Sequence, residues 1–301
     1  MLHVTNGDSV SLRESGVEGD VLVWADPLHE GPVPDAAGLD ELTVVRAEYI
    51  AARFGLPAPD VLRQLRQRDA RIRRWRDDNE IVLWFEHDLF DQLQLLQILD
   101  YFDCESDATG RVSLVQANDY LGPMTPEQLA ALYPTRQLVL PDQFKFASDA
   151  WGAFRASDPT ALAGFAVRAE LPYVAPAFRR HLEEFPARSN GLGRTQRQIL
   201  EVLAAADSDV RFHDAFVTFQ RMEDPVFLGD SSFYAEVRAL ANCATPVLSV
   251  EADVAAITDA GRDVLTGARD FVDLNEIDRW LGGVHLTPDN VWRWDGERVD
   301  R

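Results

Sequence analysis

Between Phe85 and Leu93 the chain places Glu86, His87, Asp88, Asp91 and Gln92 within seven residues. Glu86 and Asp88 are two apart, so on an extended backbone their carboxylates point to the same side. Carboxylates that meet in this way can hold Mg²⁺ or Mn²⁺ through oxygen, or raise one another's pKa enough for proton transfer. His87 adds an imidazole, a candidate for general acid/base work. A plainer role exists for part of the set: Asp88 and Asp91 suit a helix N-terminus, where the macrodipole favours acids, and Gln92 can cap. Glu86 and His87 fit that role less well, because they lie at or before the turn.

Two other turns carry comparable groups. Asp26, His29 and Glu30 precede Gly31-Pro32, and Thr5-Asn6-Gly7-Asp8-Ser9 follows the first apolar run. In that first turn Gly7 would let a ligand approach the backbone, and the N–H groups of a following helix would bind an anion such as phosphate. Helix capping by Asp8 or Ser9 is the simpler alternative. The spacing matches neither a P-loop nor a dinucleotide fingerprint. His3, His29 and His87 show no HxH or HxxxH spacing for zinc, and no GxSxG elbow or cysteine–histidine signature is present. The expected constellation is therefore Asp8, Glu86 and Asp88 on a divalent metal, Mg²⁺ or Mn²⁺, with His29 or His87 as acid/base. Thr5, Asn6, Gly7, Asp8, Ser9, Asp26, Glu30, Asp91 and Gln92 would contact the ligand.

These turns need elements to position them. Ile81–Phe85 is an unbroken apolar run too short for a helix and reads as a strand buried on both faces. Leu89, Leu93, Leu96 and Leu99 then recur at helical spacing. Leu2–Thr5, Asp20–Trp24 and Arg111–Gln116 supply further runs, Gln137–Leu140 is a candidate fifth, and helices are expected over about Leu39–Phe54 and Asp60–Arg76. Strands alternating with helices predict an α/β domain over 1–143: an open, mostly parallel Rossmann-like sheet, whose ligands sit outside the strand carboxyl ends. Helices expected at Ala150–Arg155, Thr160–Ala169 and Pro176–Phe185 make 144–189 a helical cap or spacer. Arg188–Gly193 reads as a linker.

From 190 to 301 the pattern is a helix capped by Thr195, a helix at Phe212–Phe219, another at Ser231–Ala241, then a hairpin of Val247–Val250 and Val254–Thr258. That order predicts a winged-helix-like domain. This stretch holds 11 arginines, no lysine and 20 acids, a balance of −9. Duplex binding draws its affinity from phosphate neutralisation, so a protein partner or self-association is expected here rather than DNA. Tryptophans at 280, 292 and 294 point to packing of a last strand.

Bulk composition agrees with a folded, non-membrane chain. It has 301 residues, 46% hydrophobic content and a net charge of −21, which disfavours nucleic acid and anionic membranes. No apolar stretch approaches the roughly 18 residues needed to span a bilayer, and the N-terminus lacks a signal-peptide pattern. Two distant cysteines make a reducing cytoplasm the simplest location. Seven of the arginines crowd into 63–76, which invites either a phosphate-rich partner or pairing with the protein's own acids; the latter is the favoured reading.

Taken together, His3-Val4-Thr5-Asn6-Gly7-Asp8-Ser9, His29-Glu30-Gly31-Pro32-Val33-Pro34 and Leu83-Trp84-Phe85-Glu86-His87-Asp88-Leu89-Phe90-Asp91-Gln92-Leu93-Gln94-Leu95 resemble a bacterial family known as domain of unknown function 1835. Asn190–Thr195 and Trp280–Leu286 are similar to a companion region of its longer members. The resemblance brings no activity with it. The function expected from the residues is binding of a small phosphorylated or nucleotide-like ligand, with metal-assisted phosphoester hydrolysis as the reaction if there is one. The alternative is a non-catalytic regulator that senses a ligand and signals through the winged helix.

Overall fold

A computed structural model describes residues 1–35, 38–105, 107–165, 170–206 and 208–301. The first strands are β1 (Leu2–Thr5), β2 (Asp20–Val23), β3 (Gly31–Pro32), β4 (Ile81–Phe85), β5 (Val112–Gln116) and β6 (Gln137–Leu138). All but β3 form one sheet in the order β2-β1-β4-β5-β6. The first four run parallel, and β6 closes the edge antiparallel. This is an α/β fold with a mostly parallel sheet.

β4 shows why a continuous apolar run becomes a central strand. Ile81, Leu83 and Phe85 pack into the main core, whereas Val82 and Trp84 pack into a second cluster with Leu12, Val115 and Leu129. Both faces are buried, so there is no polar alternation to read. β1 has neighbours on either side: the chain leaves it for β2 and later returns past it to β4. The crevice at such a reversal of strand order lies beyond the carboxyl ends of β1 and β4, at Asn6 and Glu86.

The helices of this half are α1 (Leu39–Phe54), α2 (Ala58–Ile72), α3 (Leu89–Asp103), α4 (Pro126–Leu132), α5 (Pro141–Arg155) and α6 (Val174–Leu182). The expected boundary at 143 falls inside α5, whose Phe144, Phe146, Ala147 and Trp151 share the core with Leu95 and Leu99 of α3. Ser148 also donates to Asp100 of α3 (2.7 Å). Within the region expected as a cap or spacer, α5 therefore packs as a layer on α3. Of the helix expected at Thr160–Ala169, a 3-10 turn over Pro159–Phe165 is present, and residues 166–169 lie outside the described residues.

The C-terminal third comprises α7 (Arg194–Ala204), β7 (Val210–Arg211), α8 (Phe212–Gln220), α9 (Asp230–Ala241), β8 (Leu248–Glu251), β9 (Val254–Ile257), α10 (Asp259–Leu265) and α11 (Phe271–Leu274), then β10 (Arg279–Gly282) and β11 (Val284–Leu286). β7, β9 and β8 form an antiparallel sheet. β10 pairs with β11 and, in parallel, with β3 of the first half. Gly283, between β10 and β11, packs against the end of α5: a Cβ there would lie 1.6 Å from the Arg155 carbonyl oxygen. The 188–193 stretch is not a solvent linker: Asn190 and Leu192 are buried, and Ala187 N–H bonds Leu192 O (2.9 Å). Nor does Thr195 cap α7. Gly193 occupies that position, and the Thr195 hydroxyl donates to Glu184 (2.5 Å).

Candidate functional site

The carboxylates of Glu86, Asp88 and Asp91 converge just past β4, each offering an oxygen within 4.8 Å of the other two. Three local features make them meet. The strand ends at Phe85 and the chain stays extended to Asp88, whose side chain caps α3 by accepting from Asp91 N–H (3.1 Å). Asp91, one turn into α3, turns back toward the strand end and accepts from Glu86 N–H (2.6 Å). Asn6, arriving on β1 as the neighbouring strand, donates its amide to the other Asp91 oxygen (2.8 Å). Gln92 donates to Glu86 O (2.6 Å), and Leu121 N–H beyond β5 donates to Glu86 Oε1 (2.7 Å). Three strand ends therefore contribute to one cluster.

All three acids are buried, and among the described residues no arginine or lysine compensates them. Burial pushes the Glu86 carboxyl above its usual range. Burial, with the Glu86 charge beside it, brings Asp88 up to about 7 despite the bonds it accepts. Asp91 rises well above the ordinary value through burial and then through the charges of Asp88 and Glu86. Such a group must hold protons or a cation. The Asn6 carbonyl oxygen is buried with no hydrogen-bond partner, as is His87 Nδ1. His87 is half-buried, with its ring against Tyr120 (5.3 Å) and Tyr173 (5.8 Å).

Of the residues singled out in the sequence, Asn6, Glu86, Asp88, Asp91 and Gln92 come together, with Thr5 buried below and His87 beside them. Asp8 and Ser9 are exposed on the first turn. Asp91, not Asp8, is the third carboxylate. Gly7 allows no closer approach than another residue would, since a Cβ there would meet nothing nearer than Ser9 Oγ at 3.9 Å. No full helix follows that turn either, only the 3-10 turn Leu12–Glu14, so the expected anion cradle is not formed.

The second turn faces elsewhere. Asp26 is fully buried against Arg46 (2.9 Å), which also donates to the carbonyls of Pro27 and Glu30. Glu30 bonds Arg53 (2.9 Å), Tyr49 (3.1 Å) and Ser232 (2.5 Å). His29 packs between Phe90 and Phe227 and lines a separate chamber. Five of the seven arginines at 63–76 pair with the protein's own acids: Arg63 with Asp60, Arg68 with Asp69, Arg71 with Asp78, Arg73 with Asp40 and Arg76 with Glu105. Sequence reading missed Tyr120, Tyr173 and the Leu121 amide. Asn118-Asp119 marked the end of β5 as a turn, which was the available signal for Tyr120 and Leu121; nothing local marked Tyr173.

A scan against protein-family models finds no match to this chain, and no curated protein is found to be similar to it.

Proposed function

We propose that Glu86, Asp88 and Asp91 bind a divalent cation, Mg²⁺ or Mn²⁺, and with it a small phosphorylated or nucleotide-like ligand at the crevice beyond β1 and β4. The observation that carries this reading is three buried carboxylates, each with an oxygen within 4.8 Å of the other two, that have no arginine or lysine partner among the described residues. The donor set is all oxygen, which suits hard cations. Asn6 and the Glu86 amide orient Asp91, and the Leu121 amide orients Glu86. The reaction this arrangement supports best is phosphoester hydrolysis. A bound cation would stabilise charge on a phosphoryl group, while His87 at the rim is placed to take or give a proton. His29 has no such role, being walled off by Phe90 and Phe227. Kinship with the family of unknown function is part of the proposal and rests on the motifs quoted above.

Isothermal titration with Mn²⁺ tests it. The wild-type chain should bind the ion, and the Glu86→Gln/Asp88→Asn double variant should lose that binding. Binding that survives the double substitution would overturn the assignment.

A second reading concerns the C-terminal third, whose order α7-β7-α8-α9-β8-β9 supports a winged-helix-like domain. Its α9 is the helix that would enter a DNA groove, yet it faces the chain's own α1 through Glu236–Arg53 (2.8 Å) and the turn before β3 through Ser232–Glu30. That docking, with the balance of −9, supports an intramolecular or protein-facing role over DNA binding. A low-salt gel shift with genomic fragments should show no complex; a sequence-selective shift would contradict it.

A further inference from the structure

A cleft of about 360 Å³ lies where α1 and β3 meet α9 and the 271–280 segment. Its inner end shares Glu30, Arg53, Glu236 and Arg279 with a chamber of about 30 Å³, room for roughly one water-sized group. His29 forms one wall of that chamber. It is only 7% exposed, and among the described residues neither ring nitrogen has a hydrogen-bond partner. A buried imidazole left in this way is costly unless something in the chamber bonds it.

The charges around it select the ligand. In the inner chamber Glu184 is matched by Arg279 and by Arg180 (2.6 Å), but the cleft as a whole is lined by Glu30, Glu236, Glu276 and Asp278 against only Arg53 and Arg279, an acidic excess of two. Both guanidiniums are already committed, Arg53 to Glu30 and Glu236 and Arg279 to Glu184 (2.9 Å). An anion entering here would find no free cation. Burial holds the His29 pKa down to about 4, so near neutral pH its ring keeps one nitrogen as an acceptor for an N–H donor. Its Nε2 lies 3.9 Å from Glu30 Oε1, which with a neutral ring is not an ion pair. The outer cleft offers Leu240, Phe271, Ile277 and Trp280 as an apolar wall and adds the acids Glu276 and Asp278.

We infer that this cleft binds a small amine, with its ammonium in the inner chamber against His29 and Glu30 and its apolar body along Phe271 and Trp280. The site is separate from the carboxylate cluster and does not depend on a metal there.

Phenethylamine is a suitable probe, with phenylacetate as its anionic counterpart, titrated calorimetrically into the full chain at pH 7.5. Phenethylamine should bind saturably and at least about tenfold more tightly than phenylacetate, as a charge-assisted hydrogen bond implies. His29→Leu should weaken the amine about tenfold. Ala239→Trp, at an exposed position on the cleft wall, narrows the mouth without touching the buried network and should weaken it as well. Non-saturable amine binding, phenylacetate binding as tightly, or unchanged amine affinity in either variant that folds would overturn the inference.

Discussion

Asp88 illustrates how much of the site's behaviour resides in single side chains. Its pKa is raised to about 7 in the folded protein, against an ordinary value near 3.8. The folded state therefore holds the proton more tightly than the unfolded chain does. The stability this contributes is complete below about pH 3.8 and is lost as pH rises through about 7. Relative to Asp88→Asn, the metal-free wild type should lose stability across that interval, since the buried histidines act equally on both proteins. Urea titrations at pH 5 and 7.5 would show it; equal slopes for both proteins would contradict the buried, uncompensated state of the cluster. Asn6→Ala removes the amide donor from Asp91 and should cost about 1–3 kcal/mol by the same measurement; a cost near zero would mean that Asp91 does not depend on it.

At the scale of elements, the turn 26–32 depends on one guanidinium. Arg46 is 1% exposed and ties Asp26, Pro27 and Glu30 together from α1. Arg46→Met should destabilise by about 3–5 kcal/mol because it strands a buried carboxylate, and Asp26→Leu/Arg46→Met should recover much of the loss. Denaturant midpoints for the two variants would decide; a double variant no better than the single would show that the carbonyl bonds dominate. This turn also shows where sequence reading stopped. β4, α1 and α3 were legible because a doubly buried strand leaves a continuous apolar run and these helices repeat apolar residues at helical spacing, although α3 proves buried on nearly all sides. Glu86 and Asp88 were legible because the strand-to-helix turn lies within the same stretch. That Asp26 would be claimed by Arg46, twenty residues on, and Asp8 left in solvent, was not, because pairing partners are chosen by tertiary placement. The 188–193 stretch misled for a related reason: its small residues permit close packing as well as flexibility.

At the scale of the molecule, β3 pairs with β10, Arg53 with Glu236, and Arg180 with Glu223, while one hydrophobic core extends from Leu2 to Val299. Equilibrium unfolding should accordingly be a single transition, coincident by far-ultraviolet circular dichroism and tryptophan fluorescence. Two resolved transitions would show that the C-terminal third is an independent unit. Acid should also loosen this assembly. Burial lowers His29 to about 4 and His181 to about 3, so the unfolded chain takes up protons first, and stability is lost as pH falls from about 6.5 through those values. The central claim remains the cation held by three buried acids at the crevice between β1 and β4. A Mn²⁺-soaked crystal measured at the manganese absorption edge tests it most directly. The account predicts an anomalous peak within bonding distance of Glu86, Asp88 and Asp91; manganese seated only elsewhere, or no peak at millimolar ion, would contradict it.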